Sequence, residues 1–181
     1  MSDITVFFDF WQKKSGAPES KIVKEYMEAK SNLESKQTDL LKLIIPRRTA
    51  KGLVPVFKEG AEDRLSEFEI AESHLSEIKG DIETYLALAD GQPSMILLND
   101  RLMRAKHAIA DAVMETKQAI IHAVQETKVH SQIEVLDYPE VQSAMDDRDR
   151  IQGQLEPVIE DLQNRIAKIK DIQNKYARIE I

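Results

Sequence analysis

A seven-residue repeat through the C-terminal part of the chain constrains its fold more than any other feature. Val141, Arg148, Leu155, Leu162, Ile169 and Tyr176 stand seven apart, and so do Ala144, Ile151, Val158, Arg165, Ile172 and Ile179. The two series alternate at spacings of three and four. They are the a and d positions of a coiled-coil seam, apolar except at Arg148 and Arg165. A helix of about 42 residues, from Pro139 to Ile181, is about 63 Å long, whereas a compact chain of 181 residues has a diameter of roughly 40 Å. The fold is therefore expected to be elongated. Pro157 falls inside the seam, but the heptad phase continues past it, and the residue four before, whose carbonyl the ring crowds, is Gly153. The expectation is one continuous kinked helix with Gly153 and Pro157 as its hinge.

The rest of the chain also reads as helix, because its six Gly and six Pro are confined to a few places. A short first helix over residues 3–14 places Ile4, Phe7, Phe8 and Trp11 on one stripe. Ser15-Gly16-Ala17-Pro18 ends it, and Pro18 suits the first position of a second helix reaching Ile45. In that helix Leu33 stands almost alone in a polar middle, so its centre should pack weakly. Residues 46–60 hold two Pro and two Gly and read as a loop with an apolar plug of Leu53, Val54, Val56 and Phe57. A third helix spans Ala61 to Ala89 on Leu65, Phe68, Ala71, Leu75, Ile78, Ile82, Tyr85 and Leu86, and Asp90-Gly91-Gln92-Pro93 closes it. The fourth, rich in alanine, runs from Ser94 to Leu136 and turns at Asp137-Tyr138-Pro139. Within it residues 108–118 match 119–129 at seven of eleven positions. An eleven-residue period gives a nearly straight or slightly right-handed helix.

These elements predict an all-α, elongated, antiparallel four-helix bundle with coiled-coil character and a single domain over residues 1–181. It consists of the aromatic helix (1–14), a shorter helical hairpin (18–89) and a long C-terminal one (94–181). The long hairpin should overshoot the short one, with the change of support near residues 123 and 153, where Gly153 and Pro157 sit.

Chemistry is sparse. The absence of Cys removes disulfides, thiolate metal sites and a Cys nucleophile. No glycine pattern cradles a phosphate or a dinucleotide, and no Glu stands three residues before a His, so no enzyme, cofactor or small-molecule substrate is indicated. The residues Asp147 and Asp149 open like a calcium loop, but Gln152 stands where Gly is required and Val158 where Glu is. No metal is indicated; the weak candidate is His122, Glu126 and His130, stacked at four-residue spacing on one helix face. A net charge of −7 disfavours nucleic acid. No apolar run approaches the roughly 20 residues of a membrane span, and the N-terminus lacks a basic leader, so cytoplasmic residence is expected.

What remains are interaction surfaces. Phe7, Phe8, Phe10 and Trp11 are too apolar to lie uncovered; they cap the bundle, dock a partner or enter a membrane interface. Lys42, Arg47, Arg48, Lys51 and Lys58 carry five positive charges with no acid between Leu41 and Lys58. By contrast, Ala61 to Asp90 holds nine acids against Arg64 and Lys79, a net of −7. Such asymmetry steers an acidic partner or phosphate headgroups, pairs with the neighbouring helix, or is simply a solvated face. Phe7, Phe8, Trp11, Arg47, Arg48, Lys51 and Phe57 are thus the candidate binding residues. The function expected is non-enzymatic scaffolding through coiled-coil faces, with protein partners and self-association. The alternative is a membrane-active helical protein, a tether or toxin-like component, using the aromatic helix and the 53–57 segment.

Overall fold

The computed structural model describes residues 4–127 and 135–178. Among these are five helices and one small sheet: α1 (Ile4–Trp11), α2 (Pro18–Lys42), β1 (Ile44–Thr49), β2 (Gly52–Phe57), α3 (Ala61–Leu88), α4 (Ile96–Thr127) and α5 (Pro139–Ala177). Helix dominates as expected, but the chain is not purely α. The last helix is continuous through Pro157. The expected run of the fourth helix to Leu136 falls partly on residues 128–134, outside the described set. Two compact units divide the chain, residues 1–93 with 169–181, and residues 94–168.

In the first unit α2 and α3 pack on each other. They run antiparallel, since Lys36 pairs with Glu67, Glu25 with His74, and Glu19 with Tyr85. Their buried residues cluster toward the Pro18 end: Ile22, Val23 and Ala29 from α2, and Ile78, Ile82, Tyr85 and Leu86 from α3. Between Ala29 and Leu40 no residue of α2 is buried and Leu33 is only half covered, consistent with its polar middle. Phe7 of α1 is fully buried, its ring edge-on to Tyr85 at 5.2 Å between centroids.

The segment 46–60 departs from expectation. Instead of a plugged loop it forms an antiparallel hairpin in which Ile44 pairs with Phe57, Pro46 with Pro55 and Thr49 with Gly52. Helix α2 stops at Lys42, so Ile44 and Ile45 are strand residues. The physical reason is local: proline pushes the residue before it out of the helical region, and two β-branched isoleucines precede Pro46. The facing prolines cost no ladder bond, because at a non-hydrogen-bonded pair the missing N–H points to the outer edge. At the tip, Gly52 has φ +116°, a value side chains disfavour, and the Thr49 hydroxyl donates to the Gly52 carbonyl at 3.0 Å. The supposed plug is uncovered: Leu53 is 73% and Phe57 60% exposed.

In the second unit, Ala119, Ala123, Val135 and Val141 form a buried cluster, flanked by Ile120, Leu136, Tyr138, Ala144 and Met145. Small side chains let α4 and α5 approach closely. The Thr116 hydroxyl, buried, lies 2.9 Å from the Ala112 carbonyl of its own helix and 3.2 Å from the Ala144 carbonyl of α5. The turn into α5 is closed by the Gln142 side-chain amide, which donates to the Leu136 carbonyl.

Candidate functional site

The aromatic helix is tied into the first unit. Besides buried Phe7, the half-buried Phe8 ring lies 4.6 Å from that of Tyr26, and the indole N–H of Trp11 donates to the Pro93 carbonyl. Phe10 lies under the ammonium of Lys14, 3.3 Å from the ring centroid. Phe7, Phe8 and Trp11 are therefore spent on internal packing, and of the expected binding residues they are the least able to meet a partner.

Behind α1 lies a polar network that the sequence did not single out. Glu19, in the first turn of α2 and only 4% exposed, accepts hydrogen bonds from the Tyr85 hydroxyl at 2.8 Å and the Gln173 amide at 2.5 Å. The N-terminus of α2 supplies further positive potential to this carboxylate. A second group joins the same C-terminal stretch to α3. The Lys175 ammonium bonds Glu77 at 2.6 Å and Asp81 at 2.7 Å, and the Tyr176 hydroxyl donates to Asp81 at 2.6 Å. Burial first, then the adjacent carboxylates, push the Tyr85 and Tyr176 hydroxyls well above the ordinary phenol range. These groups hold helices together.

The hairpin is different. Eleven of its twelve strand residues are exposed and only Ile44 is half covered. Alternation puts Ile44, Pro46, Arg48, Leu53, Pro55 and Phe57 on one face, and Ile45, Arg47, Val54 and Val56 on the other. Each face thus mixes bulky apolar groups with one guanidinium. Among the described residues Arg47, Arg48 and Lys51 make no ion pair, so of the readings open for this basic run these three do not take the one that pairs them with the neighbouring acidic helix. That helix, α3, presents Glu62, Leu65, Glu69, Glu72 and Glu83 along one exposed stripe, at spacings of three, four and eleven. These four glutamates are likewise without an ion pair among the described residues.

Helix α4 offers a third surface. Ile96 is 70%, Met103 57%, Met114 52% and Ile121 55% exposed. With Ala110 they stand seven, seven, four and seven apart, which keeps them on one side of the helix. The spacing is present in the sequence, but the abundant alanines of the opposite side give the stronger periodic signal.

The remaining candidates are scattered. Gly153 and Pro157 are exposed on α5, and a methyl group at Gly153 would meet nothing within 4 Å. The His122 ring nitrogens lie 3.5 Å from Glu126 and 3.3 Å from Glu140, while His130 is outside the described residues. No group of three metal-binding side chains occurs among the described residues. Among them, too, no helix is long and apolar enough to cross a membrane. Comparison with protein-family models, curated proteins and solved structures returns no match.

Proposed function

We propose that the chain is a cytoplasmic, non-enzymatic interaction or scaffolding protein that works through coiled-coil helical faces and self-associates. One observation carries the proposal: α4 is apolar on two opposite sides. Leu98, Ala105, Ala112, Ala119 and Ala123 are buried on one side, and Ile96, Met103, Met114 and Ile121 are exposed on the other. A helix with one neighbour needs one apolar stripe; two stripes suit a helix between two layers.

The inner side supports coiled-coil pairing in the second unit. Thr116 reaches Ala144, and Ala119 clusters with Val141. Continued in seven-residue steps, that register sets Ala112, Ala105 and Leu98 toward Arg148, Leu155 and Leu162 of α5, the heptad series of the sequence. Arg148 fits such a seam by turning its head to Asp149, and Arg165 does so by pairing with Asp161. The outer side is then a second seam offered to another copy.

Light scattering at micromolar concentration tests this. The unaltered chain is expected to be dimeric or larger, and Met103→Glu with Met114→Glu to lower the mass while helicity is retained. A strict monomer, or a mass unaffected by the pair, overturns the proposal. The membrane-active alternative now rests on the hairpin, whose exposed Leu53, Val54, Val56 and Phe57 adjoin Arg47, Arg48 and Lys51. It predicts co-sedimentation with liposomes that is lost on Phe57→Ser.

A further inference from the structure

We infer that the basic hairpin is an arm that docks on the acidic stripe of α3 in a second copy of this chain, reciprocally about a two-fold axis. The inference takes from the proposal above only that the chain associates with itself, and it uses a different surface.

The hairpin cannot be at rest in water. An isolated two-stranded sheet is marginal alone, and this one exposes Ile45, Leu53, Val54, Val56 and Phe57. Something covers it, and its occupant must suit both apolar contact and the charges of Arg47, Arg48 and Lys51. Edge-to-edge pairing with another strand is disfavoured, because Pro46 and Pro55 remove the central outward donor from each outer edge. The arm therefore binds through its side-chain faces.

An anionic bilayer suits it poorly. The tip, Arg48 to Gly52, carries no large apolar side chain, so its charges would stop at the headgroups, while the apolar groups lie nearer the base. The helix that follows carries the acid stripe, which repels anionic headgroups. A protein surface that is acidic with an apolar centre suits it well, and the chain carries one. Glu62, Glu69 and Glu72 surround Leu65, which is 41% exposed, and the three carboxylates have no ion-pair partner among the described residues. Glu62 to Glu72 spans about 15 Å of helix, within the roughly 20 Å length of a six-residue strand.

A surface that bears both a positive arm and a negative stripe, each without an ion pair among the described residues, is self-complementary. A two-fold axis sets each arm on the other copy's stripe and closes the assembly at two. Where the hairpin meets α3, an open groove lined by Phe57, Lys58, Glu62 and Leu65 joins the two halves of the patch.

The test is a charge exchange in the full chain carrying Met103→Glu and Met114→Glu, so that the outer face of α4 does not contribute. In that background a dimer is expected by analytical ultracentrifugation, weakening at least tenfold between low salt and 0.5 M NaCl, a span over which screening removes most exposed-charge attraction. Arg47→Glu with Arg48→Glu should give a monomer, and so should Glu62→Lys with Glu69→Lys, with unchanged circular dichroism. Mixed in equal amounts, the two charge variants should form a heterodimer, because every arm again faces an opposite charge. Monomer in the starting background, dimers that survive either reversal, or folded variants that fail to combine would each overturn the inference. So would phosphatidylserine vesicles that bind the starting chain through Arg47 and Arg48 while its mass stays monomeric; that result assigns the arm to lipid. A mass left unchanged by Met103→Glu with Met114→Glu, with the charge exchange behaving as expected, would sink the earlier proposal alone.

Discussion

Replacing Phe7 by alanine asks whether α1 belongs to the core. The side chain is fully buried and its ring meets Tyr85 edge-on at 5.2 Å, so truncation loses both apolar transfer and the aromatic pair. Buried Phe→Ala changes cost about 3–5 kcal/mol, of which the ring pair accounts for roughly 0.5–1.5 kcal/mol. Phe7→Leu keeps most of the volume and should therefore cost about 1–1.5 kcal/mol. Urea titration followed by far-ultraviolet circular dichroism gives both values. Trp11 emission supplies a local probe, since its indole bonds the Pro93 carbonyl in the same unit. For a chain of this size the Ala variant should melt roughly 6–20 °C lower. If Phe7→Ala costs less than about 0.5 kcal/mol, the range of ordinary surface changes, α1 is not core. The aromatic stripe would then return as a partner or membrane element.

Thr116→Leu should destabilise by about 1–3 kcal/mol, because no room exists between Thr116 and the Ala144 carbonyl for a larger side chain; a neutral result in thermal melts would show that α4 and α5 lie farther apart. Leu162→Ala, at a fully buried position, should cost about 2–5 kcal/mol by urea titration. With the Tyr85 and Tyr176 hydroxyls raised by burial, the unfolded chain releases these protons first as pH rises. Stability should thus fall above about pH 10; Tyr85→Phe with Tyr176→Phe should flatten that fall in urea titrations at stepped pH. Pro157→Ala restores a helical donor and should stabilise α5 by up to about 3 kcal/mol, with slower hydrogen exchange around residues 152–156; equal exchange at 152–156 and 162–172 in the unaltered chain would remove the hinge.

Helices were legible because their signals are local and periodic. Pro18 and Gly91 mark ends that the structure keeps, and Ile78, Ile82 and Tyr85 at helical spacing are buried. The hairpin was not legible because Pro46 and Pro55 read as breakers in a one-dimensional scan. Only the pairing that sets them opposite each other turns two missing donors into two protected edges. Glu19 could not be read as buried either, since an acid in a first helical turn is ordinarily solvated there, and its partner Gln173 lies 154 residues away. The candidate surface was half legible. Opposite charge in 42–58 and 61–90 is visible in composition, but whether the charges meet within the chain depends on the hairpin's direction, which no local pattern encodes.

The first unit is discontinuous in sequence, and its closing piece is made only after residues 94–168. During synthesis residues 1–93 leave the ribosome well before the stretch that bears Gln173, Lys175 and Tyr176. Until then Glu19 lacks the Gln173 amide, and Asp81 lacks both Lys175 and Tyr176. The nascent unit must therefore persist with carboxylates hydrated and its interior incomplete, while residues 94–168 are threaded out as an excursion between its two parts. Final closure pairs groups up to 154 positions apart, so its rate is limited by loop entropy more than by local helix formation. A ribosome paused anywhere before Gln173 holds a chain whose first unit is assembled but not locked.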